Sequence, residues 1–262
     1  MREDKLSSYG YDVHYVTWGN KGPRVLLIHS MGMDGHSMDQ LAESLQNTHQ
    51  VLSLTILNHG DSDTPKRCIP LDEHAEIMRG CYRQLDFQPS VLVGHSIGGM
   101  MGMILAADHP EELKGLVLVD IAPLDSTGRP TRPPPPEHFE NESKAREYLK
   151  ERYPGFTPQY VENRLRYGFT EKGGVLRLKP TGDVIRGGLA FDLWPYAERI
   201  KTPTMLLIGE DSTVVTPGAR KRMEKTLSSL ETVVVKGTGH MIPQDKPEEF
   251  ERLVKRFLDA RA

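Results

Sequence analysis

The stretch Val91-Leu92-Val93-Gly94-His95-Ser96-Ile97-Gly98-Gly99 decides the fold of this chain. An apolar, β-branched run stops at a glycine, a serine follows two residues later, and a second glycine lies two residues beyond it. This is the G-x-S-x-G pattern of a nucleophile elbow, a sharp strand-to-helix turn that lifts a serine hydroxyl above a sheet. Side chains at positions 94 and 98 would collide with the neighbouring strand and helix, so small residues are needed there. The pattern therefore predicts Ser96 as a catalytic nucleophile.

Short apolar runs recur on both sides of this stretch, with amphipathic segments between them. They begin at residues 24, 51, 90, 116, 205 and 232. The runs are nearly continuous rather than alternating, which is typical of strands buried on both faces of a parallel sheet. Residues 11–16 do alternate between apolar and polar types, so we expect an outer antiparallel strand there. Alternating strands and helices predict an α/β fold with a doubly wound, mostly parallel sheet.

The alternation is interrupted between about residues 124 and 200. This part opens with a stiff proline run at 133–136. Two helices and a short strand are predicted within it, at residues 142–152, 158–167 and 175–178. We expect this part to form a helical lid over the carboxyl edge of the sheet rather than an independent domain. The predicted organisation is a core of residues 1–123 and 201–262 with a lid insertion at 124–200.

Length, charge and cysteine content narrow the class of protein. A chain of 262 residues fits one large α/β domain with an insertion. Its net charge of −3 gives no electrostatic reason to expect nucleic acid or an anionic membrane as a partner. Two cysteines cannot form a disulfide framework, and the first residues lead into no secretory signal. No apolar run approaches the roughly 18 residues of a membrane helix. We therefore expect a cytoplasmic protein, while the oligomeric state stays open.

A histidine late in the chain is the predicted general base. A serine hydroxyl is a poor nucleophile until a base takes its proton. Of the ten histidines, only His240 follows the last apolar run, in the small-residue loop Gly237-Thr238-Gly239-His240. A glycine-flanked loop there can reach the top of the sheet, in the order Ser…acid…His of this architecture. His95, inside the elbow, is predicted to have a structural role.

Carboxylates at two strand ends compete for the third catalytic position. Asp120 follows the apolar run that ends at Val119, and Asp211 follows the run that ends near Gly209. Either carboxylate would orient the His240 ring and stabilise its protonated form. Glu210 is a weaker candidate beside Asp211, so the acid is not decided by position alone.

The accumulated motifs resemble the α/β-hydrolase superfamily, in particular the small bacterial carboxylesterases. The resemblance covers residues of about 12–122 and 200–260 and fades in the lid. The motifs that carry it are Leu27-Ile28-His29-Ser30-Met31-Gly32, Asn58-His59-Gly60-Asp61-Ser62, the elbow, Val119-Asp120-Ile121-Ala122-Pro123 and Gly237-Thr238-Gly239-His240. Most members carry the acid three residues after the glycine that ends the penultimate strand, where this chain has Ser212. The resemblance therefore favours Asp120, an alternative acid site after the preceding strand, with Ser212 bonded to Asp120 or His240 and Asp211 as the competitor.

An oxyanion hole requires two backbone N–H donors. We expect one from Ile97, the residue after the nucleophile, and the other from Met31, in the loop after the first core strand. Members of the family usually have His-Gly where this chain has His29-Ser30. A serine fits there only if the position does not require a positive φ.

The predicted reaction is hydrolysis of a small-molecule carboxylic ester or lactone through an acyl-enzyme on Ser96. No cysteine pair or His-Glu-x-x-His has metal-ligand spacing, and no phosphate or dinucleotide loop is present, so we expect no metal and no cofactor. One alternative is a carbon–carbon bond hydrolase or lyase that uses the same triad. It would need a cation for the substrate acid, such as Arg164, Arg166 or Arg186, although charged lid residues usually face solvent. Another is a non-catalytic protein that binds a small ligand on this fold.

Overall fold

The computed structural model of the chain describes residues 1–123, 134–181 and 192–261. Its strands are β1 Arg2–Ser8, β2 Tyr11–Trp18, β3 Arg24–Ile28, β4 Gln50–Leu54, β5 Ser90–His95, β6 Leu113–Val119, β7 Phe169–Lys172, β8 Val175–Leu178, β9 Thr204–Gly209 and β10 Leu230–Val235. Its α-helices are α1 Asp39–Leu45, α2 Leu71–Gln84, α3 Ile97–Asp108, α4 Glu142–Arg152, α5 Pro158–Tyr167, α6 Trp194–Ala197, α7 Pro217–Thr226, α8 Ile242–Asp245 and α9 Pro247–Asp259. A short 3₁₀ turn at Pro110–Glu112 precedes β6. No helix of the described ranges is both long and apolar enough to cross a membrane.

Eight strands form one sheet in the order β1-β2-β4-β3-β5-β6-β9-β10. The six strands from β4 to β10 in this order are parallel, and β2 is antiparallel to both of its neighbours, β1 and β4. The predicted mostly parallel α/β fold is therefore confirmed. Strand β2 is antiparallel as predicted from residues 11–16, but the edge position belongs to β1, which was not predicted. The charged run Arg2-Glu3-Asp4-Lys5 hides β1 from a search for apolar strands, and such charges protect an exposed sheet edge from further pairing.

The central strands are buried on both faces. All six residues of β5 are buried, and its three apolar side chains alternate between two hydrophobic clusters. Leu92 packs in the cluster on the side of α2 and α3, whereas Val91 and Val93 pack on the side of α1 and α9. Burying each such side chain stabilises the fold by about 1.5–3 kcal/mol. This two-sided burial is the physical reason for the continuous apolar runs in the sequence.

Residues 134–181, within the range predicted as a lid, build a third hydrophobic cluster. Helices α4 and α5 and strand β8 have the predicted bounds, and β7, which is not predicted, pairs with β8 across a glycine turn. Phe139, Phe156 and Phe169 pack in this cluster with Met33 and, at its margin, Met241. Those two methionines belong to loops of the sheet portion, so the segment rests on loops at the carboxyl ends of the strands. The rest of the predicted lid insertion includes residues 124–133 and 182–191, which lie outside the described ranges.

Candidate active site

Ser96 occupies a strained turn between β5 and α3. Its φ and ψ are 53° and −115°, and its N–H donates to the Val119 carbonyl at 3.0 Å. A Cβ on Gly94 would lie 2.5 Å from the Gly98 carbonyl oxygen, and a Cβ on Gly98 would lie 2.2 Å from that of Ile28. Both distances are far below a van der Waals contact, so the two glycines of the motif are sterically required. A non-glycine residue in such a conformation costs about 1–3 kcal/mol, which the surrounding packing must offset.

The pairing of β5 with β6 brings Asp120 next to the elbow. His95 is aligned with Val119 in the parallel ladder, so Ser96 and Asp120 are the next residues at the same edge of the sheet. Asp120 is fully buried and has a φ of 48°. Its Oδ1 accepts the Gly209 N–H at 3.1 Å, and its Oδ2 accepts His240 Nδ1–H at 2.7 Å. The bond to Nδ1 leaves His240 Nε2 as the nitrogen available for proton transfer.

Ser212 supports the same carboxylate. Its hydroxyl donates to Asp120 Oδ2 at 2.7 Å and accepts the Val214 N–H at 3.0 Å. Asp211 and Glu210 are both exposed, and Glu210 accepts the Gly237 N–H at 3.0 Å. Of the carboxylates considered from the sequence, the structure brings Asp120 to His240. Ser212 bonds to that carboxylate, which is one of the two contacts the sequence left open for it.

His95 anchors the loop that carries the catalytic histidine. Its Nε2–H donates to the His240 carbonyl oxygen at 2.8 Å, and the two ring centroids are 5.0 Å apart. Burial lowers the pKa of His95 well below its ordinary value, so the ring is neutral at physiological pH. The structure thus gives His95 a contact with the base loop, consistent with a structural role.

The loop between β3 and α1, residues 29–38, has a conformation fixed by its own histidine. His29 Nε2 accepts the Ile56 N–H at 2.9 Å, so Nδ1 carries the proton and donates to the Ser30 carbonyl oxygen at 2.7 Å. Burial lowers the pKa of His29 to about 4, which keeps this neutral tautomer. Ser30 does not have a positive φ; Gly32 does, at +81°. The serine therefore fits where the family usually has glycine.

The N–H groups of the two predicted oxyanion donors have no hydrogen-bond partner among the described residues. Among residues 1–123, 134–181 and 192–261, no backbone or side-chain acceptor takes the N–H of Met31 or of Ile97. Ile97 is the first residue of the 12-residue helix α3, where the helix dipole concentrates positive partial charge. These are the properties that an oxyanion-binding pair of donors needs.

Side chains on one face of helix α5 bind the β3–α1 loop. Arg164 donates from Nη2 to the Gly32 carbonyl oxygen at 2.7 Å and forms an ion pair with Asp34 through Nη1. Tyr160 OH donates to the Met33 sulfur at 3.2 Å. Spacings of three and four residues put these side chains on the same helical face. The loop that carries Met31 is thus held from above by the 134–181 segment.

The location of Arg164 corrects a sequence interpretation. Arg164 is 4% exposed, so it is neither a solvent-facing charge nor an open cation for a substrate carboxylate. Arg166 is exposed and lies over the Tyr167 ring, with 5.0 Å from its guanidinium carbon to the centroid. Arg186 lies outside the described residues. No local pattern pairs Arg164 with Asp34, because 130 residues separate them.

Comparisons with known proteins identify the family of this chain. The family described as alpha/beta hydrolase fold matches residues 23–247. The 2-(acetamidomethylene)succinate hydrolase of Mesorhizobium japonicum is 25% identical, over 99% of this chain and 98% of its own length. The sn-1-specific diacylglycerol lipase ABHD11 of Mus musculus is 28% identical, over 90% of this chain and 81% of its own. A crystal structure of E-2-(acetamidomethylene)succinate hydrolase superposes with a TM-score of 0.88 at 22% identity, covering 98% of this chain and 99% of that one. The chain therefore belongs to the α/β-hydrolase family.

Proposed function

We propose that the chain is a serine hydrolase that cleaves carboxylic esters or lactones through an acyl-enzyme on Ser96. The observation that carries the proposal is the 2.7 Å hydrogen bond from His240 Nδ1 to the buried Asp120, at the sheet edge where β5 delivers Ser96. A carboxylate on Nδ1 holds the imidazole in the tautomer that a general base requires. Membership of a hydrolase family, with a lipase among the relatives, supports the same class of reaction.

In the proposed reaction Ser96 Oγ attacks the substrate carbonyl carbon while His240 Nε2 takes its proton. The tetrahedral intermediate collapses, and the leaving alkoxide departs with the proton from His240. Water then attacks the acyl-enzyme with His240 again as base, and the carboxylic acid leaves as Ser96 regains its proton. Asp120 accepts the His240 Nδ1–H and stabilises the protonated imidazole in both halves of the reaction.

The proposed oxyanion hole consists of the N–H groups of Met31 and Ile97. A developing negative charge on the substrate oxygen would be bound by one donor from the β3–α1 loop and one from the start of α3. Within the predicted lid insertion at 124–200, the described residues 134–181 would lie over this site, with residues 1–123 and 201–262 as the core. The separate hydrophobic cluster of residues 134–181 supports this division.

The alternative of carbon–carbon bond cleavage needs an open cation for the substrate acid. Arg164, one of the sequence candidates, is committed to Asp34 and Gly32 and is not free for that role. A non-catalytic binding protein would require neither the strained conformation of Ser96 nor the buried Asp120–His240 pair. Neither alternative is favoured by a specific contact in the described residues.

A substrate panel tests the proposed reaction class. We expect the purified chain to hydrolyse p-nitrophenyl acetate, p-nitrophenyl octanoate or simple γ- and δ-lactones, and acid quenching to trap an acyl group on the peptide that contains Ser96. A 1,3-diketone provides the comparison for carbon–carbon cleavage. Diketone cleavage without ester or lactone turnover, or ligand binding with no turnover at all, would contradict the proposal.

Arg164 offers a separate test of the oxyanion loop. We expect Arg164→Met to lower kcat by up to about 10²–10³-fold, because the loop that carries the Met31 donor loses its hydrogen bond at Gly32. It should also destabilise the fold by about 3–5 kcal/mol, because Asp34 is left buried and unpaired. Steady-state kinetics and urea unfolding measure the two effects.

The matched double variant separates the two effects of Arg164. Arg164→Met with Asp34→Asn removes the unpaired charge, so we expect most of the stability to return while kcat stays low. Recovery of kcat together with stability would show that Arg164 acts through folding alone.

A further inference from the structure

Two buried histidines and a glutamate meet on the sheet outside the proposed active site. Glu3 lies on β1, His14 on β2 and His36 in the β3–α1 loop. One ligand-type atom from each lies within 4.8 Å of the other two. His14 and His36 are 6% and 3% exposed, and the Glu3 side chain is 53% exposed. We propose that these three side chains bind a divalent transition-metal ion of the Zn²⁺ class.

The distances fit the edges of a metal coordination polyhedron. Glu3 Oε2 lies 3.2 Å from His36 Nε2 and 3.6 Å from His14 Nε2. Zinc bonds to nitrogen and carboxylate oxygen are about 2.0–2.2 Å long, so neighbouring ligand atoms of a tetrahedron lie roughly 3.3–3.6 Å apart. The separations of one carboxylate oxygen from the two imidazole nitrogens are thus close to this edge length, the one to His14 within it and the one to His36 just below it. Because the Glu3 side chain is 53% exposed, solvent water could supply the fourth ligand.

The second nitrogen of each histidine ring has its own partner. His36 Nδ1 is 3.0 Å from Asp39 Oδ2, which also accepts the Asn163 side-chain N–H at 2.9 Å. His14 Nδ1 is 2.9 Å from Thr55 Oγ1. Metal-binding histidines are oriented in this way, with the non-ligating nitrogen on a carboxylate or another oxygen. Both Nε2 atoms are therefore held toward the position that the ion would take.

The charges around the three side chains suit a divalent cation. Both ring nitrogens of His36 lie against carboxylate oxygens, with Glu3 Oε2 3.2 Å from Nε2 and Asp39 Oδ2 3.0 Å from Nδ1. The two carboxylates match the two charges of the ion, and Asp34 nearby is neutralised by Arg164.

Calorimetric titration of the chain with Zn²⁺, after removal of any affinity tag, tests the site independently of the proposed hydrolysis. We expect one ion per chain and a lower affinity, by more than about 100-fold, in Glu3→Gln and in His36→Gln. Asp39→Asn, which removes only the supporting carboxylate, should weaken binding by about 10–100-fold. His138→Gln, at an exposed histidine, is the matched control and should bind like the wild type. The visible spectrum of the Co²⁺ form should be that of a tetrahedral complex.

Two results would overturn the metal site. One is the absence of Zn²⁺ binding by the tag-free wild type. The other is an unchanged affinity in Glu3→Gln, a variant at an exposed position of an edge strand that is expected to fold normally. Ester hydrolysis is not used as a readout, so failure of the proposed function would leave this result intact.

Discussion

Replacing Ser96 by alanine is expected to lower kcat for ester hydrolysis by about 10⁶-fold, the scale measured when a catalytic serine is removed. The reason is that the proposed acyl-enzyme forms on Oγ, and alanine lacks that atom. Alanine keeps the Cβ, so the backbone strain at φ 53° and the contacts of Gly94 and Gly98 are unchanged. The variant should therefore unfold at the same urea concentration as the wild type. Steady-state kinetics with the best ester of the panel measure the loss.

A glycine variant and a distant serine complete this comparison. Ser96→Gly should be equally inactive but more stable, by about 1–3 kcal/mol, because glycine adopts a positive φ without strain. Ser44→Ala removes a hydroxyl that donates to the Leu41 carbonyl and should keep wild-type kcat. Turnover by Ser96→Ala near the wild-type rate would exclude Ser96 as the nucleophile. A glycine variant that is less stable than the alanine variant would show that the turn stores little strain, because glycine also loses more backbone entropy on folding.

Local signals predicted the fold well. The apolar runs and the elbow at 91–99 depend on residues close in sequence, and so do helices α4 and α5, whose ends follow from capping and proline signals. Asn141 caps α4 by accepting the Lys144 N–H, and Pro158 begins α5. A residue type and its immediate neighbours are enough to recognise such features. Strand β1 was not predicted, because its charged residues at the sheet edge hide the alternation of apolar and polar residues that is typical of a strand.

The contacts that build the sites are long-range and could be predicted only in part. His240 and Asp120 are 120 residues apart, and Asp34 and Arg164 are 130 apart. The first pair was open to prediction because family resemblance places an acid after one of two strands. Nothing comparable links Arg164 to the β3–α1 loop, or Glu3 to His14 and His36. Those side chains meet because the sheet order and the packing of α5 bring them together. The spacing of residues along the sequence predicts neither the sheet order nor this packing.

The position of Ser212 explains how the acid can move from one strand end to another. Strands β6 and β9 are neighbours, and Asp120 N–H donates to the Leu207 carbonyl at 2.8 Å, so the ends of both strands lie side by side. A carboxylate after either strand can approach the same histidine. In this chain the Ser212 hydroxyl donates to Asp120, and therefore supplies a hydrogen bond where a second carboxylate would repel the first.

Replacing Asp120 by asparagine is accordingly expected to lower kcat by about 10⁴-fold, the loss known when the acid of a Ser-His-Asp triad becomes an amide. The amide can donate to His240 Nδ1 and so favours the wrong tautomer, in which Nε2 carries the proton and cannot act as base. Asparagine also tolerates the left-handed backbone at φ 48°, so the fold should be kept. The measurement is kcat for ester hydrolysis, with urea unfolding to check the folded state.

Asp211→Asn is the matched control, since it makes the same chemical change at an exposed carboxylate on the next strand end. We expect its kcat to equal that of the wild type. The kcat of Ser212→Ala should lie between those of Asp120→Asn and Asp211→Asn. In this variant Asp120 keeps its bonds to His240 and Gly209 but loses one hydrogen bond, and a hydrogen bond to a charged group is worth about 1.5–3 kcal/mol. If Asp211→Asn had a strongly lowered kcat and Asp120→Asn a nearly normal one, Asp211 rather than Asp120 would be the catalytic acid. That result would also require the β9 loop to rearrange when substrate binds, because Asp211 is exposed in the present structure and Asp120 already holds Nδ1 of the histidine.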